Sequence, residues 1–230
     1  MSEEILILHL ETSSTVCSVG LSFNEEIIAI EEVNDGYTHA ENLHVFIDRI
    51  CKRSSFELNQ LHAVAVSTGP GSYTGLRIGM SAAKGLCHAL QLPLIGISTL
   101  SSLCRPIRDQ FKKSYYIPML DARRMEVYFG VYDFNLNEVV KPSPLVINEQ
   151  SVALFNDFPD AVYFGSGVSK CTSFLEVMQE TLLTKDVLPS VRNMVGPGIA
   201  KFRDKDFLDL AYCEPEYLKD FFDTRKAQKE

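Results

Sequence analysis

Three stretches place hydroxyls, glycines or a carboxylate where phosphate or acid–base chemistry could be done. Glu11-Thr12-Ser13-Ser14-Thr15 is a turn of small polar residues between two apolar runs. Its hydroxyls and backbone N–H groups, at Thr12 and Ser13 above all, suit a phosphate, whereas Glu11 opposes one unless a cation intervenes. A plain hairpin turn would need no such role. Asp121-Ala122-Arg123-Arg124 follows another apolar run. Asp121 is either a working carboxylate at a strand end or the partner of a neighbouring arginine. Gly165-Ser166-Gly167 either cradles a nucleotide through Gly165 and Gly167 or closes a strand-to-helix turn.

Other patterns fail on spacing. The loop from Gly69 to Gly75 lacks the lysine and the spacing of a P-loop, and Pro70 stands where a nucleophile elbow needs glycine. Ser81-Ala82-Ala83-Lys84 matches S-x-x-K without the companion S-D-N and K-T-G motifs. His39 and His44 are five residues apart, about 140° around a helix, so they cannot clamp one metal. Arg105, Arg108, Lys112 and Lys113 read as a solvated face. No catalytic residue, metal site or cofactor is expected.

The elements that must position these residues alternate regularly. Apolar runs at 5–10, 16–23 and 27–33, joined by short turns, predict three antiparallel strands. A helix over 40–52, a strand at 61–66, a helix over 76–90, a strand at 94–97 and a helix from Ser98 or Thr99 complete βββαβαβα. The second half repeats that order without repeating the sequence. Strands are expected at 115–120, 126–134, 138–147, 161–164 and 187–188, with helices over 148–155, 169–183 and 193–203. The reading is a two-lobed α/β protein. Its first lobe spans 1–104 and its second 105–230, with the last helical segment packing back on the first lobe. The polar tail from Asp223 is expected to fray.

Composition bounds the function. Thirty acidic against 22 basic side chains, a net charge of −8, argue against a protein that grips a nucleic-acid backbone by itself. Six cysteines form no C-x-x-C, several of them in apolar runs, which predicts a reducing compartment and no zinc cluster. The acidic N-terminus lacks a signal pattern, and no run approaches a membrane span. A cytoplasmic protein with no membrane partner is expected.

The helix over 76–90 is unusual. Gly75, Gly79, Ala83 and Cys87 step along one i, i+4 ridge of small residues, and Ile78, Ala82, Leu86 and Leu90 form the next. The apolar or small arc covers about 220°, more than a one-sided surface helix needs. Either both sides are buried within the chain, or small-residue surface is left for a second helix to approach closely. Ser72 or Thr74 is placed to cap this helix after the Gly69-Pro70-Gly71 reversal.

In order, ILHLETS at 7–13, STGPGSYTGLRIG at 67–79, PLIGISTL at 93–100, DARRMEVY at 121–128 and EPEYL at 214–218 resemble the TsaB family, also called YeaZ, over nearly the whole chain. The glycine-rich stretch is the most specific part. The resemblance implies a two-lobed actin-like fold, of the sugar-kinase and heat-shock-chaperone type. It also implies a non-catalytic paralogue of TsaD, the subunit that threonylcarbamoylates the adenosine beside the anticodon of tRNAs. TsaD carries an H-x-x-x-H metal motif after the strand matching 94–97, where this chain reads Ser98-Thr99-Leu100-Ser101-Ser102-Leu103. Two departures weaken a nucleotide site further. Glu11 stands where the family usually has Asp, and Asp121-Ala122-Arg123 lacks the glycine of a D-x-G loop.

The implied partners are TsaD in a heterodimer and TsaE in a larger complex, with a homodimer when TsaD is absent and tRNA met only through the complex. The expected contact runs along Gly75, Gly79 and Ala83, with Leu76 and Met80 beside it, on the helices near 40–52 and 76–90. An ATPase or kinase-like enzyme is the alternative, and a glycoprotease-like peptidase a weaker one.

Overall fold

The computed structural model describes residues 4–36, 38–175, 182–184 and 187–219. The first half builds β1 (Leu6–Glu11), β2 (Val16–Phe23), β3 (Glu26–Asn34), α1 (His39–Ser54), β4 (Ala63–Gly69), α2 (Tyr73–Leu90), β5 (Leu94–Ser98) and α3 (Thr99–Gln110). The second half builds β6 (Tyr115–Asp121), β7 (Glu126–Asp133), β8 (Glu138–Val146), α4 (Glu149–Val152), β9 (Ala161–Phe164), α5 (Thr172–Leu175), β10 (Leu182–Thr184) and α6 (Val195–Arg203).

The two sheets have one topology. The first runs β3-β2-β1-β4-β5 and the second β8-β7-β6-β9-β10. In each, the first three strands pair antiparallel, and the last two join in parallel beside the first of them. Parallel neighbours need crossover helices, which is why β4 and β5 are each preceded by one. This duplicated order is the two-lobed actin-like fold.

β1 is buried at every position because its sheet is covered on both faces. Leu6, Leu8 and Leu10 share a core with Val64, Val66 and the apolar faces of α1 and α2. Ile5, Ile7, Ala63, Ala65, Ile95 and Ile97 pack instead on Val195 and Ile199 of α6. The second half thus returns its last helix to the first sheet. Conversely, Leu100, Leu103, Cys104 and Ile107 of α3 pack against Tyr116, Leu120, Val162 and Phe164 of the second sheet. Residues 104 and 105 lie inside α3.

Two short elements differ from the sequence reading. The final strand is Leu182–Thr184, where pairing with β9 places it, and 187–190 carry no regular structure. The helix expected over 169–183 is described only as a turn at Val168–Lys170 and as α5, with 176–181 outside the described residues. The tail from Asp223 also lies outside them. Among the described residues no helix is long and apolar enough to cross a membrane.

Candidate docking site on the first lobe

Ser72 caps α2, its Oγ accepting from the Gly75 N–H at 3.2 Å. The chain reaches that cap through Gly69, whose φ of +117° suits only glycine and where a Cβ would meet the Glu216 carbonyl at 2.8 Å. α2 then lies directly on the turn between β1 and β2. The Ser72 N–H donates to the Ser13 carbonyl at 2.6 Å. A Cβ on Gly71 would overlap that carbonyl, one on Gly75 the Thr12 carbonyl, and one on Gly79 the Thr12 hydroxyl.

This overturns the expected contact ridge. Gly75, Gly79 and Ala83 face the chain's own first turn and sheet, and Leu76 and Met80 are buried beside them. The small residues do admit a close neighbour, but that neighbour is Thr12. Met80 alone among the five borders an open hollow, beside Arg77 and Ser81.

The candidate nucleotide contacts separate into two groups. Thr12 and Ser13 are buried under α2. The Ser13 N–H donates to Glu11 Oε1 at 2.7 Å, closing the turn on its own carboxyl. Burial pushes the Glu11 carboxyl above the usual carboxylate range, against the lowering effect of those hydrogen bonds. His39, at the start of α1, joins its Nε2 to the Ser14 carbonyl at 2.8 Å. The first turn therefore fixes the N-terminal ends of both α1 and α2.

Asp121, Gly165 and Gly167 come together at the end of β6. Asp121 Oδ1 accepts from Lys170 Nζ at 2.7 Å and from the Arg123 N–H at 2.6 Å. Its ionic partner is thus Lys170 rather than a neighbouring arginine side chain. A Cβ on Gly165 would meet the Met119 carbonyl at 2.5 Å, and one on Gly167 the Val127 side chain at 2.8 Å. Both glycines let the turn close against β6 and β7. Among the described residues no three metal-ligating side chains gather.

The surface left open is one ridge around α2. An open groove of about 750 Å³ runs between α1 and α2. Its floor is Ile78, Ala82, Gly85 and Leu86, and its rim carries His44, Arg77 and Ser81. Gly85 is exposed, and a Cβ there would meet nothing within 4 Å. Glycine inside a helix costs about 1 kcal/mol relative to alanine. Unlike Gly75 and Gly79, Gly85 has no neighbour among the described residues to require it.

The segment that edges this groove is one no local sequence pattern singles out. After α6 the chain returns along the first lobe as a strap. The Leu208 N–H donates to the Leu94 carbonyl at 2.8 Å and the Glu216 N–H to the Thr68 carbonyl at 2.7 Å. Tyr217 stacks on Tyr73 with ring centroids 4.8 Å apart and accepts from Arg77 Nε at 2.9 Å. No local spacing announces a contact across 140 residues. The EPEYL stretch was the only sign of it.

Fold and site together define a two-lobed actin-like protein whose first turn is buried under α2 and whose α1–α2 face is open. A family model described as "TsaD: tRNA N6-adenosine threonylcarbamoyltransferase" matches residues 35–144. The "tRNA threonylcarbamoyladenosine biosynthesis protein TsaB" of Buchnera aphidicola subsp. Baizongia pistaciae is 30% identical, over 64% of this chain and 67% of that protein. Its namesake in Haemophilus influenzae is 29% identical over 94% of each chain. Among solved structures, YeaZ from Pseudomonas aeruginosa shares the fold with a TM-score of 0.76 at 23% identity, covering 93% of this chain and all of that one. The chain belongs to the TsaB family.

Proposed function

We propose that this protein serves tRNA threonylcarbamoyladenosine biosynthesis as a non-catalytic subunit that docks a TsaD subunit on its α1–α2 groove. The pathway reading rests on the name its relatives carry over 94% of their length. The match of 35–144 to the TsaD model supports a partner built on the same plan. The observation that carries the docking is Gly85, a helix-weakening residue on the groove floor with open space above it. A facing helix would use that space.

The non-catalytic reading is supported by what occupies the two turns. The Ser13 carbonyl accepts from the Ser72 N–H, burial under α2 covers the Thr12 and Ser13 hydroxyls, and Asp121 pairs with Lys170. TsaE joins through the larger assembly, and tRNA is met only through it. With TsaD absent, the same face serves a second copy of this chain. The ATPase reading would need those engaged groups to release.

The test is reconstituted tRNA modification with and without this chain, and with Gly85→Trp. The reading expects loss of modification on omission, and loss of both TsaD co-elution and modification with the variant. Unchanged modification on omission removes the pathway assignment. Retained co-elution with Gly85→Trp removes the groove.

A further inference from the structure

Arg77 on the groove rim and Lys84 in the adjoining hollow are two cations that form no ion pair among the described residues. Arg77 and Lys84 are seven residues apart on α2, about 10 Å along its axis. Ser81 lies between them, and a hollow of about 180 Å³ opens over all three. Arg77 is held flat, its guanidinium carbon 4.2 Å from the Tyr73 ring centroid. Only its Nε is bonded, to Tyr217, so the two terminal nitrogens have no acceptor among the described residues. Lys84 Nζ is braced by the carbonyls of Cys213 at 3.0 Å and Ala211 at 3.4 Å.

Neither cation forms an ion pair with a described carboxylate, although the chain has 30 acidic side chains for 22 basic ones. Glu214 lines the hollow and its charge favours the Arg77 cation, without closing an ion pair with either. On α1, Asp48 is engaged by Lys52 at 2.7 Å, and Glu41 is exposed in the first turn. The strap therefore holds a forked cation and a point cation at fixed places beside an apolar floor.

Resting on the reading that this groove docks a TsaD subunit, we propose that the occupant is a helix presenting two carboxylates about two turns apart. One pairs through both oxygens with the terminal nitrogens of Arg77, and the other faces Lys84. A small or apolar seam between them lies on Ile78, Ala82 and Gly85. A pre-oriented guanidinium fork matches a carboxylate. A purely apolar helix would bury two unpaired cations, at a cost that rejects it.

The test is calorimetric titration of the TsaD subunit from the same organism into this chain, at low and high salt. Wild type is expected to bind, and more weakly as salt rises from about 0.05 to about 0.5 M. Arg77→Glu with Lys84→Glu should weaken binding by at least about 30-fold, since pairs desolvated at an interface lose that much when broken. Arg77→Lys, which keeps the charge and loses the fork, should fall between. Tyr217→Phe cuts the strap contact while keeping both cations, and should stay within about threefold of wild type if charge rather than strap anchoring governs binding. Melting curves establish that each variant is folded.

Wild-type binding that Gly85→Trp abolishes but the double reversal leaves intact overturns this proposal while keeping the groove. A double reversal that breaks only self-association of this chain overturns it in the same way. No wild-type complex at either salt removes the docking reading and this proposal with it.

Discussion

Gly79 sits so close over Thr12 that no side chain larger than hydrogen fits between the α2 backbone and the Thr12 hydroxyl. Gly79→Ala should therefore destabilise the fold by about 1–3 kcal/mol, the usual cost of overpacking. Adding Thr12→Ala removes the clashing oxygen and should recover part of that loss. Melting of the two single variants and the double one reads the coupling. Equal stability of Gly79→Ala and wild type would contradict the close contact.

Gly85 is predicted to behave in the opposite way. Gly85→Ala should stabilise the isolated chain by roughly 0.5–1 kcal/mol, because alanine gains helix propensity and meets nothing. A lower melting temperature for this variant would mean that the space above Gly85 is filled in the isolated protein.

Acid should destabilise the protein through His9. Its ring is fully buried on β1, with Nε2 2.9 Å from Ser22 Oγ. Burial pushes its pKa down to about 3. The unfolded chain takes up a proton below about pH 6.5, which the folded chain refuses until about pH 3. This stability is present above pH 6.5 and lost as pH falls towards 3, at up to about 1.4 kcal/mol per unit. Glu11 acts in the opposite sense. Its folded carboxyl holds a proton to higher pH than the unfolded one, so its contribution is present in acid and lost as pH rises through its raised pKa. His9→Leu should flatten the loss on the acid side in denaturant titrations across this range. A slope identical to wild type would show that His9 is not buried neutral.

Asp121 should prove a minor structural contact. Its pair with Lys170 leaves the Asp side chain 48% exposed, so Asp121→Asn is expected to cost under about 1 kcal/mol. It should leave tRNA modification by the reconstituted complex unchanged. Micromolar ATP binding by the chain alone, abolished by this variant, would favour the enzyme reading instead.

Element order was legible because long apolar runs and glycine-bearing turns punctuate this chain strongly. The i, i+4 ridges of α2 were legible too, including Ile78, Ala82 and Leu86. What spacing leaves out is the identity of the neighbour. A row of glycines says that something approaches closely, and both Thr12 and a partner helix satisfy that statement. Only the placement of α2 on the first turn decides between them, and it gives Gly75 and Gly79 to Thr12 while leaving Gly85 over. The last strand was misplaced because three residues carry no period, and its position is set by pairing with β9. The contact of Arg77 with Tyr217 joins segments whose local sequences do not refer to each other.

The trade of α3 and α6 between the two sheets has a consequence for inheritance and handling of the molecule. Severed between α3 and β6, either half would leave an oily sheet face bare, with Ile7, Ala65 and Ile95 on one fragment and Leu120, Val162 and Phe164 on the other. Gene fission at the apparent midpoint would therefore yield two sticky, insoluble products. A scanning calorimeter should record one transition for both lobes, because neither can melt without stripping a helix from the other.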